Sequence, residues 1–206
     1  MELFCRPDCH AAQRVRVALK LKAIPFVDRP MEELEKELSA TRLFSLGLGA
    51  ETQGPVLLDR QRVLTQSLAI VEYLDELFPE PVLIPAAARD RARVHALAEL
   101  AAFDTQSLTD LRVLAYLRDQ EGFDEMRLGR WSGHWLESGL RALERMLRGN
   151  PATGSFCHGD SPTLADLCLV PLVMDALQRG IEMTAYPTVV RIHQQCMTLE
   201  AFAGPA

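Results

Sequence analysis

The chain opens with a short apolar run, Glu2-Leu3-Phe4-Cys5, which reads as a strand. A loop, Arg6-Pro7-Asp8-Cys9-His10, leads into residues 11–22, where Ala11, Val15, Ala18 and Leu19 recur at helical spacing while Arg14, Arg16, Lys20 and Lys22 are expected to face water. Ile24-Pro25-Phe26-Val27 reads as a second strand, so the order predicts a parallel pair joined by a crossover helix. A charged helix is expected over 31–39 and a loop over 47–54. Pro55-Val56-Leu57-Leu58 and Gln61-Arg62-Val63-Leu64 then read as a hairpin turning at Asp59-Arg60. Thr65-Gln66-Ser67 starts a helix carrying apolar Leu68, Ile70, Val71 and Leu74.

Three prolines between Pro79 and Pro85 break this pattern, because proline removes a backbone donor and disfavours helix before it. Beyond them every periodic stretch is helical: 88–117, 124–147, 163–179 and about 187–199. The reading is a small α/β domain over 1–80, a linker over 81–87, and an all-helical domain over 88–206.

Composition narrows the function classes. The chain has 206 residues, 48% apolar and 24% charged, with a net charge of -6. That excludes disorder and argues against binding nucleic acid by phosphate neutralisation. No apolar run approaches the roughly 20 residues that span a bilayer. Five cysteines without regular spacing make a poor disulfide framework, so a reducing cytoplasm with free thiols is expected.

Four motifs carry candidate chemistry. Cys9-His10 precedes a helix, where the dipole and open N–H groups favour a thiolate; an ordinary loop cysteine fits the local sequence equally well. A zinc site from Cys5, Cys9 and His10 lacks a second ligand pair, and no metal is expected. Gly54-Pro55 enters a strand, where a cis bond could present backbone to an extended peptide; a plain strand-starting proline is the alternative. Ser67, at a helix start, could hold a carboxylate or simply cap the helix. Thr163 and Asp166 have capping-box spacing, read as structural.

Taken together, these pieces resemble the cytosolic glutathione transferases, and most closely their zeta class, which includes maleylacetoacetate and maleylpyruvate isomerases. The stretches LTQSLAIVEYLDELFPEPVLIP, RVRVALKLKAIPF, LRVLAYL, TLADLCLVP and YPTVVRI carry the likeness over nearly the whole chain. The resemblance implies a thioredoxin-like N-terminal domain, an all-helical C-terminal domain, a homodimer, and glutathione as co-substrate for a small electrophile. It places glutathione contacts at Cys9, Gln53, Gly54, Pro55, Gln66 and Ser67, and the substrate pocket at Gln106 and Arg112.

Departures from the zeta pattern fall at the chemistry. Aligned back from Arg14, the zeta Arg-Ser-Ser-Cys loop becomes Asp8, Cys9, His10 and Ala11, so Cys9 takes the place of the catalytic serine. A cysteine there is similar to omega- and beta-class transferases, which form mixed disulfides with glutathione. His10 could then give a proton to a leaving thiolate. Where zeta isomerases carry an Arg for the diacid substrate, this chain has Gln178, and Arg179 lies about 100° further round the helix. With Asp8 replacing a cation, a dicarboxylate meets weaker attraction. Three functions follow as expectations: glutathione transfer or isomerisation, Cys9-based thiol transfer to a disulfide substrate, or a non-catalytic protein-binding role such as that of stringent starvation protein A.

Overall fold

The computed structural model describes residues 1–6, 9–38, 43, 48 and 54–203. The expected loop over 47–54 lies outside the described residues except for Leu48 and Gly54. The chain divides into two compact units, Met1–Val82 and Leu83–Ala203.

In the first unit, β1 (Glu2–Cys5), α1 (His10–Leu21), β2 (Val27–Pro30), α2 (Met31–Glu37), β3 (Val56–Asp59), β4 (Arg62–Thr65) and α3 (Ser67–Leu77) follow in order. The sheet order is β2-β1-β3-β4, with β1 and β2 parallel and the other pairs antiparallel. The strand-helix-strand opening and the hairpin are both present, in the thioredoxin-like arrangement that the resemblance implies. Strand alternation sends Phe4 and Val56 to one face, where they pack with Met31 and Leu34 of α2 and with Leu48. Their neighbours Leu3 and Leu57, also fully buried, turn to the opposite face, and α1 and α3 pack together with Val15, Ala18, Leu19, Ile70, Val71 and Leu74 buried.

The second strand falls three residues later than its apolar run suggests. Ile24 N–H bonds to Leu19 O at 2.9 Å and Ala23 N–H to Lys20 O at 3.0 Å, the paired bonds of a Schellman helix end. Ile24 is therefore the buried apolar residue of that cap, and pairing with β1 begins at Val27. The polar face expected for α1 is also corrected. Lys20 is exposed, but Arg14 and Lys22 are buried. Lys22 reaches Asp75, Phe78 O and Pro81 O at 2.7, 2.6 and 2.8 Å, so its charge is satisfied inside the unit.

The second unit holds α4 (Ala88–Glu99), α5 (Leu111–Asp119), α6 (Glu125–Leu147), α7 (Leu164–Gln178), α8 (Pro187–Met197) and α9 (Glu200–Ala203). Nearly all of α7 is buried, as expected for a helix apolar on every side. The continuous helix expected over 88–117 is broken. After α4 the backbone widens into a π turn over Leu100–Thr105, then a 3-10 turn over Gln106–Leu108. Thr105 Oγ1 donates to Leu100 O at 2.9 Å within the wide turn. Gly139 of α6 makes room for it: a Cβ there would stand 2.1 Å from Thr105 Oγ1. Trp131 Nε1 donates to Leu108 O at 2.8 Å, and Asp110 caps the restarted helix by accepting from Arg112 N–H at 2.9 Å.

Candidate active site

The sheet register assembles the first unit's candidate residues. Phe4 pairs with Val56, and Val56 with Thr65, so the exit of β1, the entry to β3 and the exit of β4 share one sheet edge. Cys5, Gly54-Pro55 and Gln66-Ser67 therefore come together there. Gly54 is tightly placed, since an added Cβ would meet Met31 Cε at 3.0 Å and Cys5 Cα at 3.1 Å. Its φ of +87° suits glycine, and the Gly54-Pro55 bond is cis. Gln53 and Asp8 lie outside the described residues.

Cys9 occupies the N-cap position of α1 in extended backbone, half-buried, and His10 is the first helical residue rather than part of the loop. A thiol there sits at the positive end of a 12-residue helix, which favours the thiolate. At α3 the N-cap is Gln66, exposed and at φ +68°. Ser67 is buried at the first helical position and does not act as the cap; its Oγ accepts from Arg14 Nη1 at 3.1 Å. A buried guanidinium beside a hydroxyl and the open N–H groups of a helix start is an environment built for an anion. Arg14, like Lys22, is a residue the helical pattern misplaced. Its partner lies 53 positions away, and no local spacing announces it.

In the second unit, Gln106 lies in the 3-10 turn, buried, with its carbonyl accepting from Thr109 N–H at 3.1 Å and Thr109 Oγ1 at 3.3 Å. Arg112 is exposed and folds back on its own helix start, with Nε 3.1 Å from Asp110 Oδ1. Gln178 ends α7 on the exposed surface. Arg179 does not stand free beside it: Nε donates at 2.7 Å to buried Asp175, which also accepts from Thr109 Oγ1 at 3.4 Å.

Comparison with known proteins fixes the family. Residues 3–82 match the glutathione S-transferase N-terminal domain. The chain is 38% identical to a maleylpyruvate isomerase of a Ralstonia species, over 95% of this chain and 92% of that one. It is 42% identical to the maleylacetoacetate isomerase of Rhizobium meliloti (strain 1021), over 93% and 89%. The chain belongs to the glutathione S-transferases, in their zeta class. Among solved structures, a holo maleylpyruvate isomerase described as a zeta-class bacterial glutathione S-transferase superposes with a TM-score of 0.88 at 35% identity, covering 98% of this chain and 95% of that one. A maleylacetoacetate isomerase of Methylobacterium extorquens AM1, solved with malonate and glutathione bound, gives the same score and identity over 98% and 94%. As a transferase of this family the chain has the expected two-part fold. Among its described residues no helix is long and apolar enough to cross a membrane.

Proposed function

We propose that this transferase is a glutathione-dependent enzyme acting on a small electrophile, with isomerisation of a maleyl-type double bond as its leading reaction. The observation that carries the reading is likeness over nearly the full length of both chains to maleylpyruvate and maleylacetoacetate isomerases. Isomerising such a bond requires that it lose its double character briefly, and reversible addition of a thiolate supplies that. In this reading Gly54, with Pro55 behind it, offers backbone to the cysteinyl unit of glutathione. Gln53, Gln66 and Ser67 hold the rest of the peptide, with buried Arg14 adding charge behind Ser67. Cys9 stands beside the glutathione sulfur at the helix start, with His10 next to it as a proton donor. Gln106 and Arg112 border the substrate. The working form is a cytoplasmic homodimer. A second reading, thiol transfer through Cys9, is favoured by the placement of that sulfur at the α1 N-terminus.

The test joins calorimetry with a turnover assay. Glutathione is expected to bind, and maleylpyruvate to isomerise only when glutathione is present. Ser67→Ala should weaken glutathione binding by about 1.5–3 kcal/mol, the usual range for a hydrogen bond to a charged group. Failure of the wild type to bind glutathione would move the chain to the non-catalytic reading. Gln178→Arg should lower KM for the dicarboxylate if the missing cation limits it.

A further inference from the structure

Cys5, at the end of β1, is almost fully buried. Its sulfur is not packed among apolar groups alone. Arg16 Nη2 donates to Cys5 Sγ at 2.8 Å, while Arg16 Nε is held by Asp28 Oδ2, also at 2.8 Å. Arg16 lies seven residues after Cys9, two helical turns on, and so on the same side of α1. Long helical side chains lean toward the N-terminus, which brings its guanidinium back toward both sulfurs. The two thiols are close enough to feel each other's charge, and Arg16 feels both. None of the five cysteines is in a disulfide. Cys157 and Cys196 also feel each other's charge, with Arg93 acting on Cys157, but both lie fully buried in the helical unit beside Asp166, and burial pushes both thiols up.

We infer that Cys5 and Cys9 form a dithiol site for thiol–disulfide exchange with glutathione disulfides, in which Cys9 attacks, Cys5 resolves, and Arg16 positions the Cys5 sulfur. Cys9 thiolate attacks one sulfur of glutathione disulfide. The Cys9–glutathione bond forms as the old S–S bond breaks, and one glutathione thiolate leaves. Cys5 thiolate then attacks the Cys9 sulfur, closing a Cys5–Cys9 disulfide and releasing the second glutathione thiolate. The two protein thiols are oxidised, one disulfide is reduced, and the two thiol protons go to the two glutathione thiolates. Any second dithiol or two further glutathione molecules reverse the reaction. This activity rests on the thiols of one unit and does not require the isomerase reading.

Among the described residues, the charged and titratable groups that act on Cys5 are Arg16, Asp28 and Cys9. Burial pushes the Cys5 thiol up, Arg16 pulls it down, and Asp28 and Cys9 oppose Arg16. Cys5 resolution is therefore the step that accelerates as pH rises.

The experiment follows the intact full-length chain by mass after exposure to oxidised glutathione, with peptide mapping. Wild type is expected to pass through a transient glutathione adduct on Cys9 and end two hydrogens lighter, with a Cys5–Cys9 crosslink. Cys5→Ala and Cys5→Ser, two variants so that a folding defect in one does not decide the matter, should both stop at a lasting Cys9 adduct. Arg16→Gln should slow the second step about tenfold, as expected when a charge-assisted hydrogen bond is lost, and move its pH profile upward. Arg16→Lys, which keeps the cation, should recover part of the rate. A lasting Cys9 adduct in wild type, indistinguishable from the Cys5 variants, overturns the proposal. So does a second step insensitive to both Arg16 changes. Glutathione binding and maleylpyruvate isomerisation by the same samples report separately on the isomerase reading.

Discussion

The two units solve one problem in mirror image. Each closes helix ends with a buried charge, but at opposite termini and with opposite sign. In the first unit Lys22, its side chain fully buried, donates to Asp75 and to the carbonyls of Phe78 and Pro81, just past the end of α3. Carbonyls at a helix C-terminus lack intrahelical donors, and a cation suits the negative dipole end. In the second unit Asp166, completely buried, closes the start of α7. It accepts from Thr163 N–H at 2.8 Å, Thr163 Oγ1 at 2.9 Å and Cys157 N–H at 2.8 Å. Thr163 and Asp166 form a reciprocal capping box. Burial pushes the Asp166 carboxyl up while these bonds pull it down. The difference is reach. The close bonds of Asp166 span three to nine residues, with Cys196 Sγ, thirty positions on, at 3.9 Å, whereas Lys22 ties positions 53 to 59 residues apart.

The largest expected effect comes from breaking the long-range tie. Lys22→Met removes the cation 2.7 Å from the part-buried Asp75 carboxylate and the donor to two carbonyls. Removing one partner of a buried pair costs about 3–5 kcal/mol. Denaturant unfolding should show that loss, and amide exchange should rise first in α3 and the Phe78–Val82 segment. Removing both charges, Lys22→Met with Asp75→Leu, should recover part of it, because the carboxylate that lost its cation is gone. Equal stability of the single and double variants would mean that the carbonyl contacts, not the charge pair, hold the tie.

The same contrast of reach explains what could be read in the sequence. The Thr163–Asp166 box, the hairpin and the helix start at Gln66-Ser67 are signalled by neighbours within a few residues; the box and the helix start stand where the pattern put them, and the hairpin turns one residue later, at Arg60-Gln61, because Asp59 still pairs with Arg62. Lys22, Arg14 and Arg16 look like a solvated face because helical spacing weighs only residue type. Their burial depends on Asp75, Ser67 and Cys5, which the fold brings to them from elsewhere. The break after α4 was hidden for a similar reason. Leu100–Thr105 carries no breaker of its own, and the wide turn fits against Gly139, more than thirty positions on. At the site, the residue types at Cys9, Gly54 and Ser67 were legible, but the cation behind Ser67 was not.

A smaller loss is expected from the local anchor. Asp166→Ala removes the acceptor for two buried backbone N–H groups and dismantles the capping box. An N-cap is worth about 1 kcal/mol and a buried unsatisfied group about 1–3, so a total near 2–4 kcal/mol follows. Asp166→Asn keeps one acceptor oxygen and should fall between. If the anchor is local, amide exchange should rise in residues 153–168 and leave α6 unchanged. Spread of the effect through the whole unit would show that Asp166 has the same reach as Lys22.

The smallest effect tests the helix end next to Lys22 without touching its charge. Ala23 closes α1 at φ +51°, in the left-handed region that the Schellman geometry demands and that glycine usually fills. A residue with a Cβ pays roughly 1–2 kcal/mol there. Ala23 is exposed, so its methyl group contributes little packing. Ala23→Gly relieves the steric cost but loosens the unfolded chain, which costs about 0.4–1 kcal/mol. The balance is a stabilisation of about 0.5–1 kcal/mol, visible as a higher denaturation midpoint at unchanged slope. In the Lys22→Met background the gain should persist in full, because the backbone strain at Ala23 and the side-chain tie of Lys22 are separate devices. If the gain disappears there, the position of the α1 end is set by Lys22 pulling it toward α3, and the left-handed turn is a consequence of that tie rather than an independent stop.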